Sequence, residues 1–516
     1  MNNSSVASVS IVTPADNSTF APGTSSVDVT FTTQNIDLMV AGNQVNVTVN
    51  MNPVNADASS PFTVPTTDGA SYTVTVELLE NNMVNKIDLT KIPEEYVKDT
   101  VQSVNGSFIF QSDEALEAGM YFMLLSDKNF FQLIIDSSQV FSFHTSVKDL
   151  IGEMKITDSK ENKLFYNYQQ FTQQKGIEVQ PLKAELKTLD KDSKKRIKLE
   201  NKIKIINEEV ASFKADFLEA NPEQLFAKIL HALEPISIPE SPILESGAID
   251  STFQYIYFKK HFWDAIDLSD DRMVRTPVFH TKMEKFLVEY TPQISDSIVK
   301  YVDVLIAQLP KDSDLFKYVV NWTTHHYESS KIMGHDAVFV HMVFTYFITR
   351  QASWVDEVQL TNIIDKAMRI SPNLIGSIAP FITLPDDKGV VQDMHSIEAP
   401  FTILFFYDPD CGHCKKETPL VKETLEKYMD RGVKVYAVCT EFDDVMWKEF
   451  IVEFGVEDWI NVNDIENSSN FRGKYNVMGT PRLFVLDAKK KIIAKQIDAA
   501  ALDEILENEF KILGNE

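Results

Sequence analysis

The sequence predicts a multidomain chain that is all-β at its N-terminus, all-α in its centre and α/β at its C-terminus. Three observations carry this. Apolar and polar residues alternate with a period of two in short runs up to about Phe143. Apolar residues recur at steps of three and four between about residues 155 and 370. A continuous apolar run, Phe401 to Tyr407, then leads into a helix-spaced segment. A length of 516 residues suits about three or four domains.

Runs Val27-Val29-Phe31, Val45-Val47-Val49 and Tyr72-Val74-Val76-Leu78 are separated by turn residues such as Pro22-Gly23 and Gly42-Asn43. Residues 1–82 therefore read as a small Ig-like β-sandwich. The first basic residue is Lys86, and the composition changes abruptly just before it, as at the seam of a fused segment. Residues 83–154 read as a second small β domain, with a hairpin expected at Asn105-Gly106. Residues 155–370 read as a helical domain. Leu199, Ile203, Ile206, Val210, Phe213 and Phe217 form one apolar stripe, and Asp190 to Ser193 breaks a preceding one, as in a helical hairpin. Further apolar faces run through Phe286-Leu287-Tyr290 and Ile298-Val302-Leu305-Leu309.

The composition narrows the function. The chain is 44% apolar and 24% charged, as globular proteins are. Its net charge of −26 opposes binding to nucleic acid or to an anionic membrane face, and is read as serving solubility. No apolar run is long enough to cross a bilayer, and the N-terminus lacks the basic start and apolar core of a signal peptide. Cys411, Cys414 and Cys439 are the only cysteines, too few for a stapled scaffold or a four-cysteine zinc site. His325, His326, His335 and His341 show no metal-ligand spacing, so no metal and no dissociable cofactor is expected.

The close cysteine pair points to redox chemistry. After the Phe401–Tyr407 run come Asp408-Pro409-Asp410 and then Cys411-Gly412-His413-Cys414. Val421, Leu425 and Tyr428 mark the helix that follows, and Gly432 ends it. A strand to Cys439, a helix through Trp447, two strands at Leu483–Leu486 and Ile492-Ile493, and a last helix near Leu502 complete a β–α–β–α–β–β–α order, that of thioredoxin. Cys411 thus falls at a helix N-terminus, where free N–H groups and partial positive charge stabilise a thiolate. Cys414, one turn deeper, can resolve a mixed disulfide. A protonated His413 would favour the reduced pair, toward about −180 mV rather than about −270 mV, while Asp410 opposes this. Thr480-Pro481 suggests a cis-proline loop facing the cysteines, with the Thr480 backbone free to pair with a substrate peptide. Cys439 reads as a small core residue.

Residues 371–516 resemble the TlpA/ResA-like thiol–disulfide oxidoreductases. Pro372 to Gly376 and Ala379 to Pro385 look like their entry segment, and Cys411 to Pro419 matches their C-x-x-C-x-x-E-x-P pattern. The resemblance implies that Glu417 lies near the buried thiol and helps move its proton. Asp410 stands where thioredoxins often carry Trp, and the Gly412-His413 dipeptide is that of disulfide isomerases. The resemblance extends upstream. Glu95 to Phe143 looks like the small β domain that precedes many such proteins. Asp267 to Val278 and Ser330 to Val338 look like their helical domain of unknown function. It implies a periplasmic or cell-envelope setting, protein thiols and disulfides as partners, and a membrane thiol donor. The expected function is protein thiol–disulfide exchange. The competing readings are an envelope binding or adhesion protein with an accessory redox domain, and a thiol peroxidase. Asp408-Pro409-Asp410-Cys411 does not supply the Thr-x-x-Cys setting of a peroxidase.

Overall fold

A computed structural model describes the strands before residue 113 and, apart from 113, 127–128 and 191–192, the chain from 107 to 514. By internal contacts it divides into two units, Met1–Glu284 and Lys285–Glu516.

In the first unit, Ser8–Thr13, Ser26–Gln34 and Phe62–Pro65 form a three-stranded antiparallel sheet, and Val45–Val49 pairs with Asn52–Ala56. Tyr72–Leu79, expected in the same sandwich, instead pairs antiparallel with Ser107–Ser112 and parallel with Val140–Ser146. The second β region therefore begins before the composition seam at 82. The alternation correctly says that one face is buried, since Val74 and Val76 are inaccessible to solvent. It does not say which sheet buries that face. A second four-stranded sheet runs in the order Phe130–Ile135, Gly119–Leu125, Lys86–Lys91, Val97–Gln102. Phe131 and Phe143, one from each sheet, meet edge to face at 5.7 Å. Asn105-Gly106 lies outside the described residues. Its flanking strands do not form the expected hairpin: Val97–Gln102 pairs with Lys86–Lys91, and Ser107–Ser112 with Tyr72–Leu79. The two strands flanking that signal belong to different four-stranded sheets.

The helical hairpin follows as Lys160–Leu186 and Lys194–Ala220, each capped by a serine, Ser159 and Ser193. The predicted stripe faces its partner helix: Phe213 stacks on Phe171 at 4.0 Å, and Leu199 and Phe217 are buried.

The second unit opens with helices Ser295–Ile306, Asp314–Glu328, Asp336–Met342 and Glu357–Ile370. Ile298, Val302, Leu305 and Leu309 are buried as their spacing requires. His341 Nε2 lies 2.9 Å from Asp303 Oδ1, and His335 Nδ1 lies 2.9 Å from Ser330 Oγ. The α/β part then runs β1 (Phe401–Tyr407), α1 (Gly412–Met429), β2 (Lys434–Cys439), α2 (Asp444–Phe454), β3 (Ile460–Asn463), α3 (Phe471–Lys474), β4 (Arg482–Asp487), β5 (Ile492–Lys495) and α4 (Ala499–Leu513). The sheet order is β3-β2-β1-β4-β5, with β1 to β3 parallel and β4 and β5 antiparallel. All seven residues of β1 are buried, as expected of a central strand. β3 and α3 add to the expected order. Ile460-Asn461-Val462-Asn463 forms a strand although asparagine disfavours strands. Here both asparagines are buried, and Asn461 Nδ2 donates to Val456 O at 2.7 Å. The entry segment lies along β5, where Gly376 N donates to Ile492 O and Ile492 N to Ser377 O.

Candidate active site

β1 ends at Tyr407, and the chain turns at once. Asp408 Oδ1 accepts the Asp410 N–H at 2.8 Å, and Asp408 O accepts the Cys411 N–H at 3.1 Å. This Asx-type turn delivers Cys411 to the N-cap position of α1, with extended φ −73 and ψ 116. The helix itself begins at Gly412, where an added Cβ would meet nothing within 4 Å. Cys414 lies one turn in and is fully buried, whereas Cys411 keeps partial access to solvent.

The Thr480–Pro481 bond is cis, and Thr480 O lies 3.5 Å from Cys411 Sγ. The proline loop therefore does face the first cysteine. On the other side the Asp408 N–H donates to Cys414 Sγ at 3.5 Å. The structure thus brings Cys411, Cys414, Thr480 and Pro481 together. His413 and Asp410 are exposed beside them. Glu417 is half-buried on the same helix, and its Oε1 accepts the Ala499 N–H at 2.6 Å, at the first turn of α4. Its hydrogen bond goes to a helix terminus, where a carboxylate is favourable.

The two thiols are pushed in opposite directions. Burial raises Cys411, but the Cys414 N–H, the Cys414 thiol, the Thr480 hydroxyl and the His413 N–H outweigh it, and the thiol falls below its ordinary value. Burial pushes Cys414 up to about 12. Cys439 closes β2 beside Tyr407 and is fully buried, and its thiol is also pushed up to about 12 by burial. One partly exposed thiol held below its ordinary value next to one buried thiol held above it is the asymmetry that disulfide exchange needs.

Two contributors lay beyond the sequence reading. The Asp408 N–H is a backbone donor, and no residue type signals it. The Thr480 hydroxyl acts on both sulfurs, where only the Thr480 backbone was expected to matter.

Residues 375–495 match the AhpC/TSA family, and residues 192–373 match a domain of unknown function (DUF5106). Thiol-disulfide oxidoreductase ResA of Bacillus anthracis is 27% identical over 137 residues, which is 27% of this chain and 77% of that protein. The Geobacillus kaustophilus ResA is 28% identical over 123 residues, covering 24% of this chain and 68% of its own. Among solved structures, a domain of a possible thiol-disulfide isomerase from Cytophaga hutchinsonii is 38% identical. The match covers 28% of this chain and 99% of that one, with a TM-score of 0.27.

Proposed function

We propose, from the premise that the C-terminal domain is a thioredoxin-like member of the AhpC/TSA family, that this protein exchanges disulfides with protein substrates through Cys411 and Cys414. The single observation that carries this is the opposed pair: a partly exposed Cys411 thiol held below its ordinary value and a buried Cys414 thiol held far above it.

In the reducing direction the Cys411 thiolate attacks one sulfur of a substrate disulfide. That S–S bond breaks, a mixed disulfide forms on Cys411, and the departing substrate sulfur takes a proton. Cys414 then loses its proton and attacks Cys411 Sγ, which releases the second substrate sulfur and leaves the Cys411–Cys414 disulfide. Two electrons pass to the substrate, and a partner dithiol restores the pair. Oxidation is the same sequence reversed. Glu417, three residues on from Cys414, is assigned as acceptor of the Cys414 proton. Gly412 and His413 tune the potential, and Thr480 and Pro481 present the backbone to the substrate strand. The setting is the cell envelope, with a membrane thiol donor. The N-terminal residues, read as an Ig-like module over 1–82, precede the small β, helical and thioredoxin-like domains.

An insulin-reduction assay with dithiothreitol tests the proposal. Turnover is expected to fall to background in Cys411→Ser; full turnover in that variant overturns the assignment.

A further inference from the structure

A cleft of about 810 Å³ opens beside the cis-proline loop, within the second unit. One wall is the segment around Lys331 and Met333; the other is β4, the end of β5 and the start of α4, with Arg482, Gln496 and Ile497. The walls are tied together. Lys495, 5% exposed, pairs with Asp336, and its Nζ also donates to Asn373 O at 2.6 Å. The cleft is thus preformed, and a ligand would not have to order it on binding.

Arg482 is the group that cleft leaves unexplained. It directly follows Pro481, so its Cα lies no more than about 7 Å from that of Thr480. It stands opposite Phe406 in the sheet register and shares a face with Phe484. The half-buried arginines among the described residues are Arg196, Arg272, Arg275 and Arg482. Arg196 pairs with Glu200, Arg272 with Asp270, and Arg275 donates to Ala118 O. Among the described residues the Arg482 side chain has no hydrogen-bond or ion-pair partner, in a chain with 75 acidic residues. Lys331, across the cleft, has none either and is exposed. Of the carboxylates in the lining, Glu328 and Asp336 are paired with lysines, and Asp498 caps α4 through the Ala501 N–H. Glu504 also lines the cleft and would repel an acidic run.

We propose that this cleft binds an extended segment of the protein substrate, and that Arg482 recognises a single Asp or Glu side chain placed a few residues from the reacting cysteine. This rests on the exchange reading above and names its substrate class. A substrate strand paired with the Thr480 backbone at Cys411 would continue past Pro481 toward Arg482 at the start of β4. A guanidinium there offers a carboxylate two parallel hydrogen bonds.

The test separates binding from exchange. Full-length Cys411→Ser protein is titrated into a fluorescein-labelled nonapeptide with serine in place of cysteine and one Glu three residues away, and into its Gln twin. The Glu peptide is expected to bind about tenfold tighter, with the preference lost in Arg482→Gln and partly kept in Arg482→Lys. Lys331→Gln is expected to weaken the Glu peptide less than Arg482→Gln does. Equal binding of the two peptides, binding of neither, or a preference that survives Arg482→Gln overturns the proposal. Wild-type turnover of the corresponding disulfide peptides, measured alongside, shows whether the exchange reading stands when the cleft reading falls.

Discussion

Cys411 and Cys439 are the same side chain at two neighbouring strand ends, yet they are set up for opposite fates. Cys411 follows the last residue of β1 by four positions, and Cys439 is the last residue of β2, paired in register with Tyr407. At Cys411 the chain turns into a helix whose N–H groups face the sulfur, and the thiol drops below its ordinary value. Cys439 faces the core, with Glu441 O at 3.7 Å as its acceptor, and its thiol rises to about 12. Both sulfurs have a carbonyl acceptor nearby, Thr480 O for Cys411 and Glu441 O for Cys439. What separates them is burial, which dominates at Cys439 and is outweighed at Cys411 by donors at the helix start and the proline loop.

The comparison breaks first at Cys411. Cys411→Ser is expected to lower disulfide exchange by at least about a thousandfold, while Cys439→Ala stays within about twofold, as for a buried thiol that packs rather than reacts. Cys414→Ser is expected to accumulate a mixed disulfide on Cys411, visible by mass spectrometry. Next comes selective alkylation. In the reduced protein at pH 7, iodoacetamide is expected to label Cys411 at least about a hundredfold faster than Cys439, and the Cys411 rate should reach half its maximum below about pH 8.5. Comparable labelling of both would erase the distinction.

Alkaline unfolding sharpens it further. An unfolded cysteine ionises near pH 8.5, whereas Cys414 and Cys439 hold their protons to about 12. Between these values the unfolded chain binds fewer protons, so stability falls as pH rises, by up to about 1.4 kcal/mol per pH unit for each buried thiol. Below pH 8.5 neither thiol contributes to the slope. Urea titrations at pH 8 and 10 are expected to show a smaller loss for Cys439→Ala than for the reduced wild type. An unchanged loss would mean that Cys439 ionises as freely folded as unfolded.

The smallest effects concern the supporting groups. Thr480→Val removes a hydroxyl that favours the thiolate, so the Cys411 alkylation midpoint should move to higher pH. Glu417→Gln loses the charge on the α4 cap and should cost about 1 kcal/mol of stability. If Glu417 also takes the Cys414 proton, the resolving step slows at neutral pH and recovers at higher pH; a loss of stability with an unchanged pH profile would leave it a cap alone.

Much of the α/β domain was legible because its signals are local. Seven consecutive apolar residues need a strand buried on both faces, and Phe401–Tyr407 is that strand. Cysteines three apart after a strand belong at a helix start, and they lie there. β3 was missed because its two asparagines, both buried, are a residue type that disfavours strands. In the N-terminal half, strand positions were readable from alternation while strand partners were not. Tyr72–Leu79 shows this: its pattern is the same whichever sheet receives it.

What the sequence by itself determined is the order of the main elements apart from β3 and α3, the buried faces and the place of Cys411 at a helix N-terminus, because each depends on neighbours a few residues apart. The tertiary structure alone decided which strands share a sheet, that Glu417 reaches Ala499, that the Thr480 hydroxyl serves both thiols, and that Arg482 stands unpaired in a cleft. These are encounters between residues far apart in the chain, 82 positions for Glu417 and Ala499. They depend on how the faces of whole elements pack, which no short window of sequence records.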